Sequence, residues 1–189
     1  MNQNKNQFLI ALGSNIALDM LQPVEIIQRA IIELSNSDLN LLSLSRFYEI
    51  PAFPTGSGPN FINSVVKAES DHSAYEILQE LHKIENKFER QRSSRWSART
   101  LDLDLLALEE QVLPSREVFQ HWCDLPLSEQ QKKTPSELLL PHPRIQDRAF
   151  VLLPLLDIEP NWLHPILNKT ALQLYNELPK QRKKNIAAV

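Results

Sequence analysis

The chain has 189 residues, 42% of them hydrophobic and 23% charged, enough to bury a sizeable core and excluding disordered and fibrous classes. Its net charge of −3 argues against a general nucleic-acid binder, and the lone Cys123 excludes an internal disulfide and fits a reducing cytosol. With only 3 glycines (Gly13, Gly56, Gly58), neither a Walker loop nor a GxGxxG turn can be built, so any handling of phosphate must use side chains and metal ions.

Taken in order, Phe8 to Gly13 is a short apolar run ending at glycine, which predicts a buried strand. Pro23 suits a first helical turn, and Val24, Ile27, Ile31 and Leu34 then recur at helical spacing up to Ser35. Leu41 to Tyr48 reads as a strand, Pro51 to Asn60 as a loop, and Phe61 to Ala68 as the next strand, so the loop joins two neighbours. Ser73 and Glu76 form a capping-box pattern ahead of an apolar stripe of Ala74, Ile77, Leu78, Leu81, Ile84 and Phe88. His82, Glu85, Glu89 and Arg92 share another face of that pattern. Gln91 to Ala98 breaks the helix, and Leu101 to Leu108 returns as a strand. Pro114 to Pro135 has weak periodicity and receives no element. Short helices are expected over Arg148 to Leu156 and Thr170 to Leu178. The order strand, helix, strand, strand, helix, strand predicts an α+β fold of ferredoxin-like type, an antiparallel sheet followed by a helical extension, in a single domain. No apolar run nears the roughly 20 residues of a membrane span, and Met1 to Gln7 carries no secretory pattern.

The cations are unevenly placed. His82 to Arg99 holds Lys83, Lys87, Arg90, Arg92, Arg95 and Arg99, and Lys180 to Lys184 adds four more without an acid. The second group is read as a solvated, frayed tail. The first contains Trp96 and is followed directly by two aspartates.

Asp102 and Asp104 carry the sharpest chemical signal. Residues i and i+2 of a strand point to one face, whereas Leu101, Leu103 and Leu105 take the other. Two neighbouring carboxylates repel when ionised, and a divalent cation offsets that repulsion. Oxygen ligands without Cys or paired His favour Mg²⁺ over Zn²⁺. An exposed polar strand face explains a DxD pattern equally well in isolation, but Arg95 and Arg99 set fixed cations beside these acids. Metal plus guanidinium is how phosphoryl transfer is assembled without a P-loop. Trp96 suits either the core or stacking on a base. Phe53, Phe61 and Asn63 around the Pro51–Asn60 loop can clamp a flat heterocycle, although Phe61 is equally consistent with a core strand residue. In PHPR, Pro141 to Arg144, His142 sits between two prolines, and the rigid His-Arg turn suits either phosphate binding or a plain surface turn, with Arg148 and Phe150 downstream.

Together FLIALGSN, SRFYEIPAF with PNFINSVV, RWSARTLDLDLL and PHPRIQDRAFVLLPL resemble the 6-hydroxymethyl-7,8-dihydropterin pyrophosphokinases of folate biosynthesis, over about Phe8 to Pro160. The resemblance implies an αβα ferredoxin-like enzyme. It would pass the diphosphate of ATP to the pterin hydroxymethyl group and release AMP. It further implies two Mg²⁺ ions on Asp102 and Asp104, and Arg90 and Arg92 on a loop that closes over the phosphates. Arg99, Arg148 and His142 would contact the triphosphate, Arg90, Arg99, His142 and Arg148 serving catalysis. Phe61 and Phe150 would sandwich the pterin, with Asn63 reading its edge near Phe53 and Ile50. His82, Glu85, Trp96 and Leu105 would line the nucleotide side. ATP and the dihydropterin would be the partners of a cytoplasmic monomer that engages neither nucleic acid nor membrane.

The chain departs from the family at Ser97-Ala98, where Gly-Pro is usual, at Ile50, and at Glu137 and Leu139. The stretch from Pro114 to Ser136 is longer than usual. Two other readings stand beside the enzyme: a non-catalytic pterin or nucleotide binder, and a ferredoxin-like nucleic-acid module using Trp96 and the basic cluster. The intact acids, Arg99 and His142 weigh against the first, and two acids on the strand face where bases would lie weigh against the second.

Overall fold

The computed structural model describes residues 5–52, 58–88, 99–126, 129 and 132–189. Among the described residues six strands form one antiparallel sheet: β1 (Asn6–Ser14), β2 (Asn40–Leu44), β3 (Tyr48–Ile50), β4 (Phe61–Ser70), β5 (Asp102–Leu108) and β6 (Ala187–Ala188). Its order is β5-β1-β4-β3-β6, with β2 also paired to β4. Helix α1 (Pro23–Ser35) follows β1 and α2 (Ala74–Lys87) lies between β4 and β5, which is the expected order except that one expected strand is split into β2 and β3.

Local chemistry accounts for the elements. Ser73 and Glu76 cap α2 reciprocally: Ser73 N–H donates to the Glu76 carboxylate at 2.8 Å, and Glu76 N–H donates to Ser73 Oγ at 3.4 Å. Pro23 opens α1, where Gln22 N–H donates to Glu25 at 2.7 Å. β1 alternates strictly in its contacts. Phe8, Ile10 and Leu12 face α1 and α2, and Leu9 and Ala11 face the opposite layer.

The segment expected as one strand over Leu41 to Tyr48 is two. Ser45 N–H donates to Val65 O at 2.9 Å, and the Ser45 hydroxyl accepts from Val65 N–H at 2.9 Å. A side-chain oxygen therefore replaces a backbone one, and the ladder breaks between β2 and β3.

The second face is covered by α4 (Ala149–Ile158) and α5 (Ala171–Glu177). Leu9, Val65 and Leu106 of the sheet pack there against Val151, Leu152, Leu155 and Leu174. The molecule is thus an αβα sandwich, and the helical extension is its third layer. Asp157 of α4 fixes this layer, accepting from Arg46 at 2.7 Å and from the Tyr48 hydroxyl at 2.9 Å.

The unassigned stretch after β5 contains α3 (Arg116–Asp124), capped by Ser115, whose hydroxyl accepts from Val118 N–H. Its Phe119 is fully buried against His164.

Lys180, Arg182 and Lys184 are exposed, as expected of a solvated run, but residues 180–189 are not frayed. Lys180–Lys183 form a 3₁₀ turn in which Arg182 donates to Asp147 O at 2.7 Å. β6 then adds itself to the edge of β3, pairing Ala188 with Tyr48 and Ala187 with Glu49. Ile186 and the strand edge anchor this charged run.

Among the described residues no helix is long and apolar enough to cross a membrane.

Candidate active site

β5 places the two carboxylates as its alternation requires. Asp102 and Asp104 are half-buried on the face shared with α4, and Leu103 and Leu105 are buried on the face shared with α1 and α2. Their neighbours on β1 are Gly13, opposite Asp102, and Ala11, opposite Asp104. These small residues leave the sheet surface beside the acids low, a feature the sequence reading did not use.

Both acids hold guanidiniums. Arg99 pairs with Asp102, and Arg148 Nη1 lies 3.1 Å from Asp104 Oδ2. Burial disfavours the charge on Arg99, but Asp102 and then Asp104 outweigh it and hold the group charged, above its ordinary range. Arg148 precedes α4, and its guanidinium stacks 5.4 Å above the Phe150 ring.

His142 is held against β5, its backbone N–H donating to Leu106 O at 2.7 Å. Its Nδ1 accepts from Arg144 N–H at 3.1 Å, which leaves the proton of the neutral ring on Nε2. Burial first, and then Arg148, push its pKa well below the ordinary value, so the ring is neutral at pH 7.

Across the sheet from Asp102 lie, in one row, Gly13, Asn63 and Tyr48. Asn63 is 7% exposed, and its Nδ2 has no hydrogen-bond partner among the described residues. That is an unmet donor in a nearly dry position, the kind of group that a ligand edge satisfies. Phe61 and Ile50 pair with each other one step further along β4 and β3, and both are partly exposed. Phe150, 36% exposed, leaves the start of α4 on this face. An aromatic floor, an amide and a second aromatic ring therefore occupy one sheet face next to two acids and two arginines.

Other predicted residues have different surroundings. Glu85 is 1% exposed and accepts from Leu103 N–H at 2.8 Å, tying α2 to the outer edge of β5. Leu105 belongs to the core under α1 and α2, as Leu139 belongs to the interior, whereas His82 and Glu137 are exposed. Phe53, Arg90, Arg92, Trp96 and the Ser97-Ala98 departure lie outside the described residues.

One residue has a role that its sequence context does not assign. Asn15, 3% exposed, accepts from Arg99 N–H at 2.7 Å and donates to Pro59 O at 3.2 Å, joining the base of Arg99 to the loop before β4. Its signal was the Gly-Ser-Asn that ends β1. Arg144 donates to the carbonyls of Trp122 at 2.6 Å and Cys123 at 2.9 Å, closing the end of α3 against the His142 loop.

Among the described residues no three His, Cys, Asp or Glu side chains gather to hold a metal. Two carboxylates on one face fit Mg²⁺ all the same, because that ion usually takes one or two protein carboxylates and completes its shell with water and substrate phosphate.

A model of the family described as 7,8-dihydro-6-hydroxymethylpterin-pyrophosphokinase matches residues 9–160. This chain belongs to that family. The 2-amino-4-hydroxy-6-hydroxymethyldihydropteridine pyrophosphokinase of Synechocystis is 35% identical over 173 residues, covering 90% of this chain and 75% of the relative. The same-named pyrophosphokinase of Haemophilus influenzae is 33% identical over 172 residues, covering 91% and 90%. Among solved structures, the HPPK-DHPS protein of Plasmodium falciparum superposes with a TM-score of 0.64 at 16% identity, covering 97% of this chain and 47% of that one. The chain thus spans about half the length of that solved protein, and the likeness extends the pyrophosphokinase fold to both helical layers.

Proposed function

We propose that the family reaction, transfer of the diphosphate of ATP to 6-hydroxymethyl-7,8-dihydropterin in folate synthesis, takes place on the sheet face that carries Asp102, Asp104, Asn63 and Phe150. The observation that supports this reading most is the shared row of Asp102, Gly13 and Asn63, which sets a carboxylate beside an unmet amide donor. The acids suit the triphosphate end, and the amide with Phe61 and Phe150 suits a flat, hydrogen-bonding heterocycle.

The pterin ring lies between Phe61 and Phe150, with Asn63 satisfying its edge and Ile50 and Phe53 alongside. The hydroxymethyl oxygen then points along the row toward the acids. It attacks the β-phosphorus of ATP, the bond from that phosphorus to the bridging oxygen of AMP breaks, and the hydroxyl proton leaves. Two Mg²⁺ ions on Asp102 and Asp104 would supply charge neutralisation and a lower hydroxyl pKa. Arg99 and Arg148 hold the acids in place and turn to phosphate oxygens once the carboxylates are otherwise engaged. His142 presents Nε2–H as a neutral donor. Arg90 and Arg92 approach the phosphates, with His82, Glu85, Trp96 and Leu105 on the nucleotide side. Positioning and preorganised charge carry the acceleration in such a transfer, and no side-chain base is required. The reaction needs no membrane contact and suits a cytoplasmic monomer.

Incubation of the protein with ATP, Mg²⁺ and the dihydropterin tests the reading. AMP in amounts equal to consumed pterin is expected. ADP, or nucleotide turnover that ignores the pterin, would overturn it.

A further inference from the structure

We propose that residues 180–189 are a strap that joins the two walls of the pterin slot, with Arg182 as a positioning residue for pterin binding. The proposal rests on the slot described above. The family model ends at residue 160, so the strap is an addition to the matched region.

One end of the strap holds the α4 wall. Arg182 Nη1 donates to Asp147 O at 2.7 Å and lies 3.6 Å from its carboxylate, which Arg144 approaches at 3.4 Å from another side. Asp147 is followed by Arg148, which meets Asp104, and by Phe150, whose ring Arg148 covers. Fixing the Asp147 carbonyl therefore fixes the backbone from which both side chains leave.

The other end holds the opposite wall. β6 pairs with β3 through Tyr48 and Glu49, and Val189 N–H donates to Phe47 O at 3.0 Å. β3 runs on to Ile50, the partner of Phe61. Between the two ends, Lys183 donates to Asn176 O at 3.0 Å and sits 4.7 Å above the Tyr175 ring, and Ile186 packs on the α4–α5 layer. Elsewhere α4 is tied to the start of β3 at its far end, where Asp157 accepts from Arg46 and Tyr48.

A solvated ion pair and a two-residue strand contribute little to global stability. Their effect is on the spacing of two walls that must grip a ring between them, and preorganisation of that kind is read in affinity.

The test measures pterin and ATP dissociation constants and thermal midpoints for the parent, Arg182→Ala, Arg182→Lys and Ala187→Pro, which takes a backbone donor out of β6. Arg182→Ala and Ala187→Pro should weaken pterin binding about 3- to 10-fold and ATP binding, through Arg148 alone, by a smaller factor, with the midpoint close to the parent. Arg182→Lys, which keeps a donor for Asp147, should restore most of the affinity. Equal losses for both ligands, or a collapse of the midpoint in Arg182→Ala, would show a general structural role and overturn the strap. Phe150→Ala reports on the slot itself. Weakened pterin binding there, with parental binding in the strap variants, overturns the strap alone, and parental binding in all of them overturns strap and slot together.

Discussion

Gly13 and Asn63 face each other across β1 and β4, and a Cβ at residue 13 would stand 3.2 Å from Asn63 Oδ1. That contact is closer than a methyl group tolerates at rest, so Gly13→Ala pushes the Asn63 amide along the sheet face. The amide sits where a hydrogen-bonding ring edge is expected, and the acids on the neighbouring strand are left in place. Pterin binding should weaken several-fold, about 1 kcal/mol, by loss of hydrogen-bond alignment. ATP binding measured in the same calorimetric titrations should hardly change.

Glu85, proposed for the nucleotide side, also has a structural consequence. Its carboxylate takes the Leu103 N–H on the outer edge of β5, between the two aspartates. Glu85→Ala leaves that donor without its acceptor in a buried position. A loss of about 1–3 kcal/mol is expected from urea unfolding. Glu85→Gln, which keeps an acceptor oxygen, should lose less.

His164 makes stability depend on pH. It is fully buried, its Nδ1 accepts from Ile166 and Leu167 N–H at 3.2 Å, and burial pushes its pKa down to about 4. The unfolded chain binds a proton near pH 6.5, and the folded ring resists until about pH 4. Between those values the unfolded state holds more protons, so stability rises with pH and falls on acidification. The contribution lost across that window is of the order of 3 kcal/mol. His164→Asn, whose oxygen can replace Nδ1 as acceptor, should flatten the slope of unfolding free energy between pH 6.5 and 4. The share belonging to His142, whose pKa is shifted in the same direction, remains. An unchanged slope would place the dependence elsewhere.

How much of this was legible in the sequence depends on the range of each interaction. The Asp102–Asp104 alternation, the Ser73–Glu76 cap and the α1 stripe are local patterns, and strand and helix periods display them directly. The role of Ser45 was hidden, because breaking β2 from β3 depends on Val65, 20 residues away. Glu85 read as one member of a polar helix face, and only its partner on β5 explains its burial. The basic run at 180–184 looked like a solvated end because charge is visible in sequence whereas the pairing of β6 with β3 is not. The roles of Asn15 and of the Arg144 guanidinium are hidden for the same reason, since each bonds chiefly to backbone atoms of distant segments.

The central claim is that Asp102 and Asp104 act on the triphosphate and leave the pterin to Asn63 and its aromatic neighbours. Single-turnover formation of AMP by Asp102→Asn and Asp104→Asn, measured beside the pterin dissociation constant of each variant, tests it most directly. Turnover should fall about 10²- to 10³-fold, some 3–4 kcal/mol of transition-state stabilisation, with the pterin constant close to that of the parent. Parental rates of AMP formation in either variant at ordinary Mg²⁺ would contradict the account.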